Sequence, residues 1–254
     1  MKKVFIIILN YNGGEKVLAC LKSLQLVKLP TTWQVRVVVI DNASTDDSLQ
    51  LIKQQFRKIK IIENEKNLGF AAGNNVGIKY ALKQEAKAVL VLNQDTVVAK
   101  NFLGPILNHP ADIVAPVIKF QRGGKWLYDY GGRINWWLGR PSHIEEVEWS
   151  KNLPQVDYLS GCCLLVKKAV FEKIGIFDEG FFLYFEDVDF CLRAKKAGFK
   201  LALEPRSLVS HKLKVTQKRL WWQNYHLLRS QLIFINRFII IWRRPVAFVY
   251  WLAL

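Results

Sequence analysis

Residues 35–46 read VRVVVIDNASTD, an apolar run of strand length that passes directly into polar side chains. The run at 35–40 predicts a buried β-strand, and Asp41 stands where that strand would end. In open parallel sheets ligands bind beyond the carboxyl ends of the strands, so this segment predicts a fold element and a candidate site together. The alternative for the acids at 41–47 is a turn followed by a helix N-cap.

Similar apolar runs alternate with helix-period segments on both sides of this stretch. The other predicted strands span residues 4–9, 60–62, 88–92 and 113–118, and the predicted helices span residues 15–26, 47–56 and 71–83. This order predicts an α/β fold with a Rossmann-like, mostly parallel sheet and helices on both faces. Beyond it we expect hairpins and loops at 119–155, a strand at 158–166, helices from Lys168 and near Glu186, and a mostly helical tail from Thr216.

The composition fits a folded chain and excludes several classes of protein. The chain has 254 residues, of which 51% are hydrophobic, enough for a full core. Its first apolar run is too short for a signal peptide. Four cysteines without a C-x-x-C pair indicate a reduced, cytoplasmic protein. The first predicted strand is not followed by G-x-G-x-x-G, which argues against a dinucleotide-dependent dehydrogenase.

Amides, carboxylates and small residues follow the predicted strands, where a nucleotide would bind. Asp41 could accept hydrogen bonds from a nucleobase or ribose, and Asp95 suits a hard cation that carries diphosphate. The alternatives are turn formation for the acids and helix packing for the glycines. The candidate nucleotide-binding residues are Asn10, Asn12, Asp41, Asn67, Gly73, Asn93 and Asp95.

The strongest local signal is FFLYFEDVDF at residues 181–190, where three carboxylates adjoin five aromatic rings. A carboxylate beside an apolar wall has its ionised form disfavoured, which makes it a stronger base. Asp187 is therefore the candidate general base. Part of the cluster has a structural explanation, since Asp189 and Arg193 form an i,i+4 pair at a helix start. His211 follows a short apolar run, and its value as a ligand depends on Asp95.

Several motifs in this order resemble the family 2 glycosyltransferases with the GT-A fold, particularly the rhamnosyltransferase-like branch. They are VIDNAS at 39–44, NLGFA at 67–71, LNQDT at 92–96, Gly161, GIFDE at 175–179 and EDVD at 186–189. The resemblance covers residues 3–235. It implies that Asp41 contacts the nucleobase, that Asp95 binds Mg²⁺ or Mn²⁺, and that Asp187 is the base. Asn93 stands where the fullest D-x-D motif has aspartate, so His211 is a further candidate metal ligand.

The resemblance also implies an activity. We expect an inverting, metal-dependent hexosyltransferase that moves a sugar such as rhamnose from a nucleoside diphosphate donor. The expected acceptor is a hydroxyl of a cell-surface glycan or lipid-linked oligosaccharide, in polysaccharide biosynthesis for the cell envelope. Aromatic residues at 125–149 and the loop at 184 resemble acceptor-side walls, because sugars stack on rings, although a small satellite core is an equal alternative. The candidate acceptor or sugar-binding residues are Gly161, Tyr184, Glu186 and Trp137.

The C-terminal part of the chain carries most of the positive charge. Residues 193–254 contain thirteen Lys and Arg against a single acid, Glu204, so twelve of the sixteen net charges lie there. A single helix over 218–244 would place Lys218, Arg219, Arg229, Arg237, Arg243 and Arg244 on one side. Such a helix suits the surface of an anionic membrane, and the alternative is a helix packed on the catalytic domain. We expect a cytoplasmic protein, peripheral on the inner face of the membrane.

The predicted domains are a catalytic domain at 1–215 and a helical, membrane-associated segment at 216–254. The catalytic domain divides into a nucleotide-sugar half at 1–118 and an acceptor-binding and catalytic half at 119–215. Two other functions remain open from the residues. A metal-dependent sugar nucleotidyltransferase also needs a nucleotide cleft and a cation, and a basic nucleic-acid-binding protein would explain the pI of about 9.7. The acids after the strands argue against the second, so no nucleic-acid partner is expected.

Overall fold

The computed structural model describes residues 1–146, 148, 153–211 and 221–252. Within these residues the strands are β1 (Lys2–Asn10), β2 (Trp33–Asp41), β3 (Lys60–Glu63), β4 (Ala88–Asn93), β5 (Thr96–Val98), β6 (Ile113–Arg122), β7 (Lys125–Asn135), β8 (Arg140–Glu146), β9 (Cys163–Lys167) and β10 (Leu201–His211). The helices are α1 (Gly14–Gln25), α2 (Ser48–Gln55), α3 (Gly69–Lys83), α4 (Leu103–Leu107), α5 (Lys168–Ile174), α6 (Glu186–Lys196), α7 (Trp221–Phe238) and α8 (Arg244–Leu252), with a 3₁₀ turn at Ile241–Arg243.

The main sheet confirms the predicted α/β fold. Its strand order is β3-β2-β1-β4-β9-β6-β10-β5, and β7 and β8 extend from β6 as an antiparallel hairpin. Strands β3, β2, β1, β4, β6 and β10 run in one direction, whereas β9 and β5 run against their neighbours. The sheet is therefore mostly parallel along this path.

The register of the parallel strands places their carboxyl ends at one edge. Asn10 at the end of β1 is opposite Asp41 at the end of β2, and Leu9 is opposite Asn93 at the end of β4. Consecutive side chains of a strand point to opposite faces, so the inner strands need apolar residues on both. Ile6, Ile7 and Ile8 of β1 are all buried accordingly.

Helices cover both faces of the sheet. On one face, Val17 of α1, Ile52 of α2 and Ile106 of α4 pack with Ile6 and Ile8. On the other face, helices α3, α5, α6 and α7 pack with Ile7 and Ile40 through Ile78, Val170, Phe190 and Phe234. Helix α7 thus belongs to the same core as the catalytic half predicted at 119–215. The predicted division of the chain at residue 215 stays a prediction.

Two parts of the chain differ from the sequence-based expectation. The strand expected at 158–166 begins only at Cys163, and Tyr158 makes a single bridge to Gly132. The reason is that the backbone at 161–162 turns away from the sheet, where the Gly161 N–H bonds Asp187 and the Cys162 carbonyl accepts the Asn93 N–H. The predicted insertion at 125–149 is the β7–β8 hairpin as far as residue 146.

The described part of the tail is mainly helical, but residues 221–244 do not form one helix. Helix α7 ends at Phe238, and Ile240 is extended before the chain continues as a 3₁₀ turn and α8. Lys218 and Arg219 lie outside the described residues. None of the described helices is both long and apolar enough to cross a membrane.

Gly77 offers a test of how closely α3 packs on the sheet. A Cβ there would overlap the side chain of Ile7 and lie 3.1 Å from the nearest Ile40 carbon. Both isoleucines are buried in the core and cannot move away freely. We expect Gly77→Ala to lower the free energy of unfolding by about 1–3 kcal/mol, because overpacking outweighs the gain in helix propensity. Urea unfolding measures this difference.

Gly104→Ala is the matched control, since a Cβ at that helical position meets no atom within 4 Å. It should leave stability unchanged or raise it by up to about 1 kcal/mol. A Gly77→Ala protein as stable as the wild type would contradict the close packing of α3 on β1 and β2.

Candidate active site

The ends of β1 and β2 carry a buried polar network. The Asp41 carboxylate accepts hydrogen bonds from Asn10 Nδ2 at 2.8 Å, from the Ser44 hydroxyl at 2.7 Å and from the Ser44 N–H at 3.0 Å. Asp41 is only 2% exposed, and Asn10 is fully buried. Because the register sets these side chains opposite each other, they hold the loop after β2 in place. Neither residue lines a cavity described below.

Asn12 and Gly73 hold neighbouring elements close to the ends of the strands. The Asn12 side-chain oxygen accepts the Thr45 N–H at 2.8 Å, which ties the loop after β1 to the loop after β2. A Cβ at Gly73 would lie 2.6 Å from a Leu9 methyl, so this glycine lets α3 approach β1. Both residues shape the neighbourhood of the strand ends by packing and hydrogen bonding.

Asn42 connects β2 to α3, a role that the sequence did not single out. Its Nδ2 donates to Asn67 Oδ1 at 2.8 Å and to the Gly69 carbonyl at 3.2 Å. Its oxygen accepts from Asn64 Nδ2 at 3.0 Å and from the Leu68 N–H. Asn42 lies in the motif at 39–44 and Asn67 in the motif at 67–71, yet only the fold shows that they bond each other and Asn64.

A cavity of about 370 Å³, here named the strand-end cavity, opens at this edge of the sheet. The candidate residues Asn67, Asn93, Asp95 and Tyr184 line it, and Asn42, Phe182 and Trp222 complete much of its wall. Its lining combines amides and one carboxylate with aromatic rings. Such a surface can hydrogen-bond a sugar or base and stack on its apolar faces.

Asp95 and His211 meet at the rim of the sheet. Strand β10 pairs His211 with Thr96, and His211 Nε2 lies 2.9 Å from Asp95 Oδ1. Burial disfavours the charged Asp95 carboxylate, but the hydrogen bond and charge of His211 outweigh it and lower the pKa of Asp95. Lys16 lies 3.9 Å from the other carboxylate oxygen. The fold thus brings together two residues that are 116 positions apart in the sequence. A role for His211 as a ligand depends on this contact.

This pair fits a divalent cation that takes its other ligands from a substrate. Among the described residues no three His, Cys, Asp or Glu side chains cluster as a complete metal cage. Mg²⁺ and similar ions commonly bind through one or two carboxylates together with substrate phosphates. Asp95 would supply a carboxylate at the cavity wall, and His211, once deprotonated, would supply an imidazole beside it.

Asp187 lies in a second cavity of about 390 Å³, here named the carboxylate cavity. Its Oδ2 accepts the Gly161 N–H at 2.8 Å, and its Oδ1 accepts the Val188 N–H at 2.8 Å. Burial raises the pKa of Asp187, while the Gly161 N–H and the charge of His143 oppose that rise. A carboxylate with a raised pKa in a cavity can accept a proton from a bound hydroxyl.

Glu186 lines the same cavity and is buried. Burial and the charge of Asp187 raise the pKa of Glu186 well above its usual range. Its Oε2 atom has no hydrogen-bond partner among the described residues. The pKa of each of the two adjacent carboxyls is thus raised, and the rise is the larger for Glu186.

Two successive residues in left-handed conformation start α6 and aim these carboxyls. Tyr184 has φ 69° and Phe185 has φ 70°. Helix α7 packs over this turn, where Ser230 donates to the Leu183 carbonyl at 2.8 Å and Arg229 to the Gly180 carbonyl at 2.8 Å. The turn is thus held by a helix far along the chain.

Sequence reasoning did not identify Arg237 of α7 as a partner of Asp178 and Asp189. Its guanidinium lies 2.6 Å from Asp189 and 2.6 Å from Asp178, and Asp189 is fully buried and also bonds Arg193 at 2.7 Å. Arg229 and Arg237 were expected on an exposed basic side; both are partly exposed, and both also contact the protein. A buried carboxylate such as Asp189 needs a cationic partner, but the spacing of residues in the sequence does not show that Arg237, 48 residues away, is that partner.

The two cavities are neighbours. Tyr184 lines both, and the turn at 161–162 bonds Asp187 on one side and Asn93 on the other. Tyr184, Glu186 and Gly161 thus lie at the expected place, beside Asp187. Trp137 does not line either cavity, because it packs on Trp242 at 5.2 Å between ring centroids and on Arg243.

The chain matches the family described as Glycosyl transferase family 2 over residues 5–175, which is more than half of its length. It is 29% identical over 204 residues to the low-salt glycan biosynthesis hexosyltransferase Agl10 of Haloferax volcanii, covering 77% of this chain and 62% of that protein. It is 29% identical over 237 residues to an N-acetylglucosaminyl-diphospho-decaprenol L-rhamnosyltransferase of Mycobacterium tuberculosis, covering 81% and 75%. The chain therefore spans less than two thirds of the Haloferax relative.

Solved structures share the fold. The structure of GalNAc-T7 with UDP, GalNAc and Mn²⁺ superposes with a TM-score of 0.72 at 18% identity, covering 93% of this chain and 48% of that one. Residues 1–349 of S. aureus TarS in complex with UDP give a TM-score of 0.62 at 20% identity, covering 94% and 67%. This likeness confirms the predicted GT-A fold.

Glu186 allows a pH test of the buried carboxyl pair. A carboxyl whose pKa rises on folding binds more protons in the folded state, so the free energy of unfolding falls as pH rises above the ordinary pKa of 4.5. Glu186→Gln removes this effect. We expect the substitution to raise the free energy of unfolding at pH 8, by about 1.4 kcal/mol for every tenfold change in proton affinity that folding causes. It should have little effect at pH 4.

Thermal and urea unfolding at both pH values measure the difference. Glu172→Gln, on the exposed side of α5, is the control and should show no comparable change between pH 4 and pH 8. A Glu186→Gln protein less stable than the wild type at pH 8 would show that the ionised Glu186 carboxylate is stabilising.

Proposed function

Because this chain belongs to glycosyl transferase family 2, we propose that it transfers a sugar from a nucleoside diphosphate donor to an acceptor hydroxyl with inversion. The observation that carries the proposal is the Asp187 carboxylate, which lies in its own cavity next to the cavity of Asp95. One cavity takes the donor and the other takes the acceptor. Tyr184 stands at their common wall, where the two sugars would meet.

Inversion needs a single displacement. The acceptor oxygen forms a bond to the anomeric carbon of the donor sugar while the bond from that carbon to the diphosphate breaks. Asp187 takes the proton of the attacking hydroxyl, and the nucleoside diphosphate leaves with the bonding electrons. The Gly161 N–H holds Asp187 in place.

The donor is proposed to bind in the strand-end cavity. Asn67 and Asn93 offer amides to the nucleotide, while Asn10, Asn12, Asp41 and Gly73 hold the surrounding loops and helix α3. Asp95 and His211 would hold Mg²⁺ or Mn²⁺. A cation held there would supply positive charge to the leaving diphosphate.

The relatives support a cell-envelope role. One is named for transfer of L-rhamnose to a lipid-diphosphate-linked N-acetylglucosamine, and another for glycan biosynthesis. We therefore propose rhamnose or another hexose as the transferred sugar and a glycan or lipid-linked oligosaccharide as the acceptor. Residues 1–118 would form the donor half, residues 119–215 the acceptor half, and residues 216–254 a segment that contacts the membrane.

Asp187→Asn tests the base. The substitution keeps the shape of the side chain and removes its proton acceptor, so transfer should fall by about 10²–10⁴-fold while donor binding persists. Asp95→Ala should instead weaken donor binding in the presence of Mn²⁺ or Mg²⁺. Release of nucleoside diphosphate and thermal stabilisation by a panel of nucleotide sugars measure the two effects.

Asp112→Asn is the control, because that carboxylate lies where β6 begins, at the opposite end of the strand from the site. It should retain full activity and donor binding. Unchanged turnover in Asp187→Asn would remove Asp187 from its role as base. Release of pyrophosphate in place of nucleoside diphosphate would identify a nucleotidyltransferase.

The tail supports attachment to an anionic membrane. Its exposed large side chains include Trp221 at 81% and Ile241 at 74% exposure, together with Tyr225, Trp242 and Val249. Arg243 stacks on Trp137 and Trp242 at 4.1 and 4.5 Å, so cationic and aromatic groups lie side by side. This combination suits the interface of an anionic bilayer.

Sedimentation with vesicles that contain phosphatidylglycerol tests attachment. The wild type should bind, more strongly at low salt than at high salt, and Ile241→Glu with Val249→Glu should reduce binding at least tenfold because two exposed apolar anchors become charged. Leu29→Glu, 60% exposed and outside the tail, is the control and should bind as the wild type does. Absence of wild-type binding at both salt concentrations would reject a membrane role for the tail.

A further inference from the structure

The carboxylate cavity has walls of opposite charge. Helix α6 contributes Glu186 and Asp187, and strand β8 contributes Arg140 and His143. The acids are explained by the proposed proton transfer. The two cationic side chains are not, since neither lies in the strand-end cavity that is proposed to take the donor diphosphate.

His143 is held in its charged form by a buried partner. Its Nδ1 lies 2.8 Å from Asp129 Oδ2, and Asp129 is 8% exposed and accepts the Gly131 N–H through its other oxygen. The register places His143 opposite Gly132, so the hairpin itself sets this pair. With Nδ1 committed to Asp129, the second ring nitrogen, Nε2, carries the remaining donor.

The charged groups around His143 come from three elements. They are Asp129 on β7, Glu145 on β8 and Asp187 on α6, and the ring of Tyr158 packs edge-on at 5.5 Å between centroids. Although burial disfavours the imidazolium, the hydrogen bond and charge of Asp129, with the charges of Asp187 and Glu145, raise the pKa of His143 to about 9. The ring is therefore a cation at neutral pH.

Arg140 adds a second positive charge to the same wall. Among the described residues its contacts are the hydroxyl and ring of Tyr250 in α8, and no carboxylate lies within ion-pair distance of it. Tyr250 holds the guanidinium without neutralising it. Arg140 and His143 both line this cavity, and a guanidinium and an imidazolium suit a phosphate group because each bond to the anion is charge-assisted.

We propose that Arg140 and His143 bind a phosphate group carried by the acceptor sugar whose hydroxyl reaches Asp187. This inference rests on the proposed function and names the chemical class of its acceptor. A sugar phosphate matches the cavity because it presents a hydroxyl to the α6 wall and an anion to the β8 wall at once. A neutral acceptor would offer no anion to the Arg140 guanidinium or to Nε2 of His143.

Binding of small probes to the full chain tests the subsite without turnover. The probes are N-acetylglucosamine 1-phosphate, N-acetylglucosamine and inorganic phosphate, with EDTA present and no donor. The readout is the NMR signal of the His143 ring, one of four histidines, assigned by its loss in His143→Gln. A signal from this ring reports the β8 wall and is separate from any binding beside Asp95.

We expect the sugar phosphate to shift the His143 signal and to bind at least tenfold more tightly than either part alone. His143→Gln and Arg140→Gln should each raise its dissociation constant roughly tenfold or more, as loss of a charge-assisted hydrogen bond does. His143→Gln binding is followed by calorimetry, since the ring signal is gone. Lys125→Gln, which removes an exposed cation from β7 of the same hairpin, is the control and should bind as the wild type does.

Asp129→Asn supplies a readout that a structural role would not move. Without its partner the pKa of His143 should fall, so sugar phosphate binding should persist at pH 6 and weaken at pH 8, whereas wild-type binding changes little between these values. Equal affinity for the sugar and the sugar phosphate, or an unmoved His143 signal, would overturn the subsite and leave His143 as a group that acts only on Asp187.

The proposed function is judged separately, by release of nucleoside diphosphate from the wild type. If release occurs and the sugar phosphate does not bind at His143, the phosphate subsite is wrong and the transferase stands. If the sugar phosphate shifts His143 and no nucleotide sugar is turned over, the anion site stands and the transferase fails.

Discussion

The alignment of β1 with its two parallel neighbours is the constraint on which the site depends. Strand β1 is hydrogen-bonded on both edges, and its apolar side chains are buried on both faces of the sheet. A slip in register would move the polar ends of β1, β2 and β4 out of line with one another. The same register sets Asn10 opposite Asp41 and Leu9 opposite Asn93, so the packing of the core and the placement of the polar strand ends have one cause.

The proposed base, Asp187, lies in a segment whose backbone and buried carboxyls are unfavourable by themselves and are held by other elements. Tyr184 and Phe185 both adopt left-handed backbone conformations, which cost on the order of 1–3 kcal/mol each outside glycine. The carboxyls of Glu186 and Asp187 are buried side by side, which is also unfavourable. Helix α7 offsets these costs from outside, through Ser230 on the turn and through Arg237 on Asp189, two residues beyond Asp187.

The tail therefore has two different sides. Phe234 and Ile235 of α7 are buried in the core that also contains Phe185, whereas Trp221 and Ile241 are exposed. Arg229 and Arg237 are partly exposed and bond carbonyls and carboxylates, and Arg243 stacks on tryptophans. A surface that meets a membrane on one side and fastens the catalytic turn on the other would link attachment to the geometry of the base.

Local pattern determined much of the fold. Apolar runs end just before Asp41 and Asn93, and segments with helical periodicity lie between such runs. These patterns predicted strands and helices whose ends differ from the structure by only a few residues. The strands could be predicted because a strand that is buried on both faces is a continuous apolar run. Motif spacing also pointed to Asp95, Asp187 and His211. Tertiary structure alone decided which of these groups meet. It brings His211 to Asp95, and it turns Gly161 out of the sheet so that its N–H bonds Asp187. It also encloses Asp41 and places Asp129 where it raises the pKa of His143. Those contacts join residues distant in the chain, and no periodicity encodes a distance that only the folded backbone closes.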